Sequence, residues 1–216
     1  MIELFNKIKQ SKYNQDITFL IETICRPGYT CLDIGANYGY TSVLLLKKVG
    51  LNGKVYSWEP NTFLFENYLT KIQTPNVTHY NKAVSNSVGT SEYYSFSREG
   101  ELSSLNTLDK TIRDKVIKDK TSKNFDTHII DIETLDNWWK QKNKPNVDLI
   151  KIDVEGYEDK VIHGSLELLK TYSPILIIEC HSRLKFNKCK KILKNIDYFL
   201  DNDVSTAEQF VFKKND

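Results

Sequence analysis

The sequence predicts an α/β domain: a mostly parallel sheet of seven strands, helices on both of its faces and an antiparallel hairpin at the C-terminal end. Three observations predict it. Short runs rich in Ile, Val and Leu, such as TCLDI, VDLIKID and PILIIECH, read as strands buried on both faces. Stretches of helical length and periodicity separate them, as right-handed βαβ crossovers require. At the end of the chain, DYFLDND and EQFVFKK follow a last helix-like segment in the pattern of a closing hairpin.

In chain order, Ile2, Phe5 and Ile8, then Ile17, Leu20, Ile21 and Ile24, fall at helical spacing and predict two helices within residues 1–26, ended by Pro27–Gly28. TCLDI is the first strand and breaks into GANYGY. TSVLLLKKVG is a helix closed by Gly50, and KVYSWEP is a second strand stopped by Pro60. TFLFENYLTKI is helical, VTHYNKAV is a third strand ended by SNSVG, and the alternation in SEYYSFS makes it an extra strand. Residues 109–123 mix both charge signs over a weak Ile112/Val116 stripe and read as a solvated helix or loop. Residues 95–125 together are assigned to a lid or acceptor wall. THIIDIETL is a further strand and LDNWWKQ a short helix. VDLIKID is the fourth central strand, EDKVIHGSLELLK one helix, PILIIECH the fifth strand and KFNKCKKILKNI the last helix.

A chain of 216 residues, 40% apolar and 27% charged, suits one soluble domain spanning residues 1–216. Its net charge of +2 points to neither nucleic acid nor an anionic membrane surface as partner. The four cysteines, Cys25, Cys31, Cys180 and Cys189, show no CxxC pair or zinc-ligand spacing, and Cys31 and Cys180 lie in apolar strands. A reduced, cytoplasmic protein is expected from that usage. The N-terminal stretch has no continuous apolar segment of signal-peptide kind and nothing reaches transmembrane length, so no membrane insertion is expected.

In open parallel sheets ligands bind beyond the carboxyl ends of the strands, near the switch in strand order. There DIGANYG places Asp33 ahead of Gly35 and Gly39, where small residues let a ligand approach backbone N–H groups. The dinucleotide fingerprint GxGxxG is broken by Asn37, and the P-loop lysine is missing, so pyrophosphate is disfavoured. An acid before the glycines suits a ligand with a positive group, such as an α-amino group. Glu59, at the end of the second strand in WEPN, stands where a carboxylate holds a ribose diol. A cationic amino-acid end joined to a ribose describes S-adenosylmethionine (SAM).

DIGANYGYTS, WEPN, NKAVSNSVG, SSL, ETLDNW, IKIDVEGYEDKVIHG and ILIIECH together resemble the ordered motifs of FkbM-family methyltransferases, from about Pro27 to His181. The resemblance implies the Rossmann-like class I methyltransferase fold and SAM-dependent methylation, in that family mostly of hydroxyls on sugars or natural products. It implies that Asp33, Gly35, Ala36, Asn37 and Gly39 line the methionine half of SAM, with Tyr40 and Thr41 at the helix start beside it. Glu59 then holds the ribose, Pro60 and Asn61 flank the adenosine, and Ala83 and Val84 border the adenine. Ser103, Ser104 and Leu105 match a loop near the acceptor. Ala83 and Val84 read equally well as plain core residues.

A hydroxyl acceptor calls for a base or a Lewis-acid metal. Period-two alternation puts Lys151, Asp153 and Glu155 on one side of the fourth strand, and Glu179 and His181 on one side of the fifth. Asp153 or His181 is expected to take the acceptor's proton, with Glu155 and Glu179 orienting acceptor hydroxyls. Glu155 also reads as a first-turn helix acid, and Glu158 as solvated surface. His79, His128 and His163 read as structural or surface. A divalent metal on Asp153, Glu179 and His181 is possible but not favoured over a side-chain base. A glycan-type or small-molecule acceptor is expected. Amino-methylating enzymes that act on bases often carry [DN]PP[YF] where this chain reads DVEG, which lowers N-methylation of nucleic acid or protein. Tyr93, Tyr94, Phe96, Trp138 and Trp139 read as core more readily than as sugar-stacking rings.

Overall fold

The computed structural model describes residues 12–95 and 126–214. The first of the two expected N-terminal helices, with Ile2, Phe5 and Ile8, lies outside the described residues, as do Ser104 and positions 96–125 of the expected lid. The chain runs α1 (Lys12–Ile24), β1 (Thr30–Ile34), α2 (Tyr40–Val49), β2 (Lys54–Trp58), α3 (Thr62–Asn67) and β3 (Val77–Tyr80). It continues through β4 (Ala83–Val84), β5 (Gly89–Ser95), β6 (Asp126–Glu133), α4 (Leu135–Gln141) and β7 (Leu149–Ile152). Then follow α5 (Glu158–His163), α6 (Leu166–Tyr172), β8 (Ile175–Glu179), α7 (Arg183–Lys194), β9 (Tyr198–Asp201) and β10 (Gln209–Lys214).

Seven strands form one sheet in the order β3-β2-β1-β7-β8-β10-β9. The first five are mutually parallel, and β10 runs antiparallel to both β8 and β9. Strand order reverses between β1 and β7, which makes their carboxyl ends the switch point. Alternating side chains divide the core between the two faces. Cys31, Val55, Leu149 and Ile177 pack with Leu20 and Ile21 of α1, Cys25 just after it, and Leu45 and Val49 of α2. Leu32, Ile34, Ile150 and Ile178 face the other way, toward Trp138 of α4, Val161 of α5, Leu168 of α6 and Leu193 of α7. Trp138 and Trp139 are therefore core, and Trp138 meets Trp58 edge to face at 5.1 Å.

Several expected elements are divided or shortened. VTHYNKAV forms two strands, because the Asn81 amide donates to the carbonyls of Glu59 and Pro60 and turns the chain out of the first sheet. β4 then joins a separate three-stranded sheet, β4-β6-β5. EDKVIHGSLELLK forms two helices, broken at Gly164–Ser165, where the Ser165 hydroxyl donates back to the carbonyls of Val161 and Ile162. The fourth central strand stops at Ile152, so alternation does not carry through Asp153 to Glu155. No helix among the described residues is long and apolar enough to cross a membrane.

Candidate active site

The residues that alternate toward α1 and α2 change character at the carboxyl edge of the sheet. Cys31, Val55, Leu149 and Ile177 are followed two positions later by Asp33, Ser57, Lys151 and Glu179, all buried. Asp33 and Lys151 are direct partners in the β1–β7 ladder. The Asp33 carboxylate accepts a 2.6 Å hydrogen bond from Ser42 of α2. Its burial raises its proton affinity, against the pull of the Lys151 ammonium. Lys151 is 1% exposed and makes a 2.6 Å ion pair with Asp153. Burial opposes its charge, but the carboxylates of Asp153, Asp33 and Glu179 outweigh it and hold the ammonium above its ordinary value.

Above this edge lies a cleft. Gly35 and Asn37 of the loop after β1 form its floor, with Glu59 and Pro60 after β2 on one side. Ala83, Val84, Tyr93 and Ile130 of the three-stranded sheet form the far wall, and Asp153, Val154, Glu155 and Tyr157 after β7 form the near wall. Gly35 has φ +83°, and a Cβ there would stand 1.7 Å from the carbonyl oxygen of Asp153. Only glycine lets the two central strand ends come this close. The N–H groups of Gly35 and Ala36 both donate to the Trp58 carbonyl, which seats the loop over β2. Glu59 is 4% exposed, and its two oxygens accept separate 2.8 Å hydrogen bonds from the backbone N–H groups of Asn37 and Asn61. Burial pushes its carboxyl up to about 7.

At the mouth, Glu155 sits in the left-handed region at φ +51°, outside any helix, and its carboxylate lies 3.4 Å from His181 Nε2. Glu179 Oε1 lies 3.3 Å from the same nitrogen, while its other oxygen accepts from the Gln209 amide at 2.8 Å. Glu155 first, then Glu179 and Asp153, push His181 up to about 9, so it carries a proton at neutral pH and acts as a donor there. Donor atoms of Asp153, Glu179 and His181 lie within 4.8 Å of one another, a spacing a metal ion could bridge. Glu158, expected on the surface, is 2% exposed. It folds back to accept the Gly156 N–H at 2.7 Å and so fixes the loop carrying Glu155.

The profile of the methyltransferase FkbM domain family matches residues 33–211. The chain belongs to this family. Solved FkbM methyltransferase from Methylobacillus flagellatus KT has a similar fold, with a TM-score of 0.55 at 14% identity over 98% of this chain and 58% of that one. This chain thus spans little more than half of that relative's length. A SAM-dependent methyltransferase from Aquifex aeolicus aligns with a TM-score of 0.52 at 15% identity, covering 98% of this chain and 96% of its own. Precorrin-6y C5,15-methyltransferase from Geobacter metallireducens GS-15 aligns with a TM-score of 0.51 at 13% identity, covering 95% and 90%. At these identities the likeness is one of fold. No curated protein sequence matches the chain.

The expected class I methyltransferase architecture is therefore the observed one. In this FkbM-family chain, Gly35, Asn37, Glu59, Pro60, Ala83 and Val84 stand together at the cleft with Asp153 and Glu155. Other residues assigned to the ligand stand behind it. The Asp33 carboxylate is buried beneath the floor, where one of its oxygens accepts from Ser42. Gly39 has φ +81°, and a Cβ there would stand 2.4 Å from the Ile72 Cδ1. The Tyr40 hydroxyl meets Thr18 of α1, and Thr41 is buried in α2. Ala36 is buried, and Asn61 caps α3 through the Leu64 N–H. Glu179 is 3% exposed and holds Gln209 and His181 instead of lining the cleft. Tyr157 and Val154 were not legible as cleft residues, since their type carries no chemical signature. Lys151 had a signal, a lone cation inside an apolar strand.

Proposed function

We propose that the chain binds SAM in this cleft and transfers its methyl group to a hydroxyl of a sugar or glycan-type acceptor. The observation that carries the reading is the placing of two acidic stations in one cleft: Glu59 after β2, and Asp153 with Glu155 after β7. Glu59, held by two backbone N–H groups and facing the cleft, suits a ribose diol. Pro60, Ala83, Val84 and Ile130 supply an apolar slot for a purine beside it. SAM supplies a methyl carbon made electrophilic by its sulfonium.

On the acceptor side, Asp153 takes the hydroxyl proton as the new carbon–oxygen bond forms and the methyl–sulfur bond breaks with its electron pair left on sulfur, giving a methyl ether and S-adenosylhomocysteine. Glu155 and protonated His181 then offer an acceptor and a donor to neighbouring hydroxyls of a polyol. Alignment of the hydroxyl supplies much of the rate, and a positioned base adds about 10²–10⁴-fold. A metal at Asp153, Glu179 and His181 would need the imidazole deprotonated and would sit beside the Lys151 ammonium.

Calorimetry tests the ligand: SAM and S-adenosylhomocysteine (SAH) bind, NAD does not, and the reverse order would sink the reading. Tritium transfer from labelled SAM to a pool of sugars and glycans tests the acceptor class. Label appearing only on nitrogen in protein or nucleic acid overturns it, and loss of transfer after dialysis against a chelator assigns the activation to a metal.

A further inference from the structure

We propose that Lys151 is a positioning residue for the transfer, its buried ammonium fixing the Asp153 carboxylate at the acceptor side of the cleft. The inference rests on the reading of Asp153 as the group that takes the acceptor's proton. β7 is otherwise apolar, with Leu149, Ile150 and Ile152 fully buried around the lysine. A hydrophobe there would pack without desolvating a charge, so core packing alone gives no reason for a cation.

What the lysine does is visible in its surroundings. Carboxylates from three segments favour its charge: Asp153 after β7 in direct contact, Asp33 as its ladder partner at the end of β1, and Glu179 at the end of β8. The Asp33 carboxylate also accepts from Ser42, and that of Glu179 from Gln209. Asp153 is the member of the trio that reaches the cleft, with 18% of its side chain exposed, and Lys151 holds one of its oxygens at 2.6 Å. The pair is two residues apart across the strand end, so β7 itself sets the direction of the ammonium. The stem is anchored in the sheet core, and the head acts as a fixed strut between the floor of the cleft and its acceptor wall.

A double-variant cycle in methyl transfer from labelled SAM to the sugar and glycan pool tests this, alongside SAH affinity, melting temperature and crystal structures of SAH complexes. Lys151→Met and Asp153→Asn are each expected to slow transfer on the order of 10²-fold. SAH affinity should change by less than about threefold, and the double variant should be no slower than Asp153→Asn alone. Losses that multiply in the double variant would overturn the proposal, because Lys151 would then act independently of Asp153. Unchanged transfer in Asp153→Asn removes the base reading, and the lysine's role with it, before Lys151 is varied. Should Lys151→Met fail to fold, Lys151→Arg keeps the charge but replaces a compact ammonium with a planar fork. Slower transfer at unchanged SAH affinity supports the role, and full transfer refutes it. In the SAH complex of either lysine variant the Asp153 carboxylate is expected to leave its wild-type position. A carboxylate that stays in place overturns the proposal even if the wild-type protein labels nothing in the pool.

Discussion

Gly35→Ala bears most directly on how the site is built, and its cost can be worked from two distances and an angle. An alanine at φ +83° pays about 1–2 kcal/mol for the left-handed backbone. Its Cβ would also lie 1.7 Å from the Asp153 carbonyl oxygen, where contacts closer than 3.0 Å are essentially never seen. The ends of β1 and β7 must therefore separate, straining the bond by which the Asp153 N–H donates to the Ile34 carbonyl at 2.9 Å. Overpacking of this kind costs about 1–3 kcal/mol more. At about 2–4 °C per kcal/mol for a chain of this size, the melting temperature should fall by about 4–20 °C. Gly28 provides the control, with φ +85° and nothing within 4 Å of a Cβ. Gly28→Ala should lose only the conformational part, about 2–8 °C. Thermal unfolding followed by circular dichroism reads both variants. SAH calorimetry should show binding lost in Gly35→Ala and kept in Gly28→Ala. Equal melting temperatures for the two, or wild-type SAH affinity in Gly35→Ala, would refute the claim that Gly35 exists to let Asp153 approach the cleft floor.

Three further outcomes follow from the same geometry. Glu59, pushed up to about 7 from 4.5, holds its proton more tightly folded than unfolded. Its ionisation therefore withdraws stability as pH rises through that window, by about 3 kcal/mol once above 7. Denaturant unfolding at pH 5 and pH 8 should show a fall in stability that is smaller in Glu59→Gln than in the wild type by most of that amount. For His181, pushed up to about 9, the protonated form stabilises the fold fully below 6.5 and that contribution disappears as pH rises through 9. Nuclear magnetic resonance titration of the imidazole should give a midpoint near 9, and Glu155→Gln should lower it; an unmoved midpoint removes Glu155 as the main cause. Glu158→Ala leaves the Gly156 N–H without its buried acceptor and should cost about 1–3 kcal/mol. Glu167→Ala, which breaks the exposed pair with Lys140, should cost clearly less than Glu158→Ala by the same unfolding measurement.

Much of the fold was legible because buried parallel strands leave continuous apolar runs, and those at β1 and β7 carry the switch point. Glu59 and Asp153 stood out for the same reason, as acids where apolar runs stop. Which face a strand-end acid meets was not legible. Asp33 lies one residue before the strand end, and only the packing of α2 shows that it points at Ser42 instead of outward. Gly39 carried the same letter as Gly35, yet a Cβ would meet the Ile72 side chain at the first and the Asp153 backbone at the second. Glu158 read as solvated surface, and its burial depends on the left-handed turn at Glu155 and Gly156 that precedes it. The far wall of the cleft was hidden for another reason. Tyr93 and Ile130 reach it through a second sheet whose pairing joins segments far apart in sequence.

The crystal structure of the protein with SAH bound tests the central claim most directly. The account predicts the ribose hydroxyls on the Glu59 carboxylate, the adenine against Ala83, Val84 and Ile130, and the sulfur turned toward Asp153. A ligand seated elsewhere, or one whose ribose leaves Glu59 untouched, would contradict it.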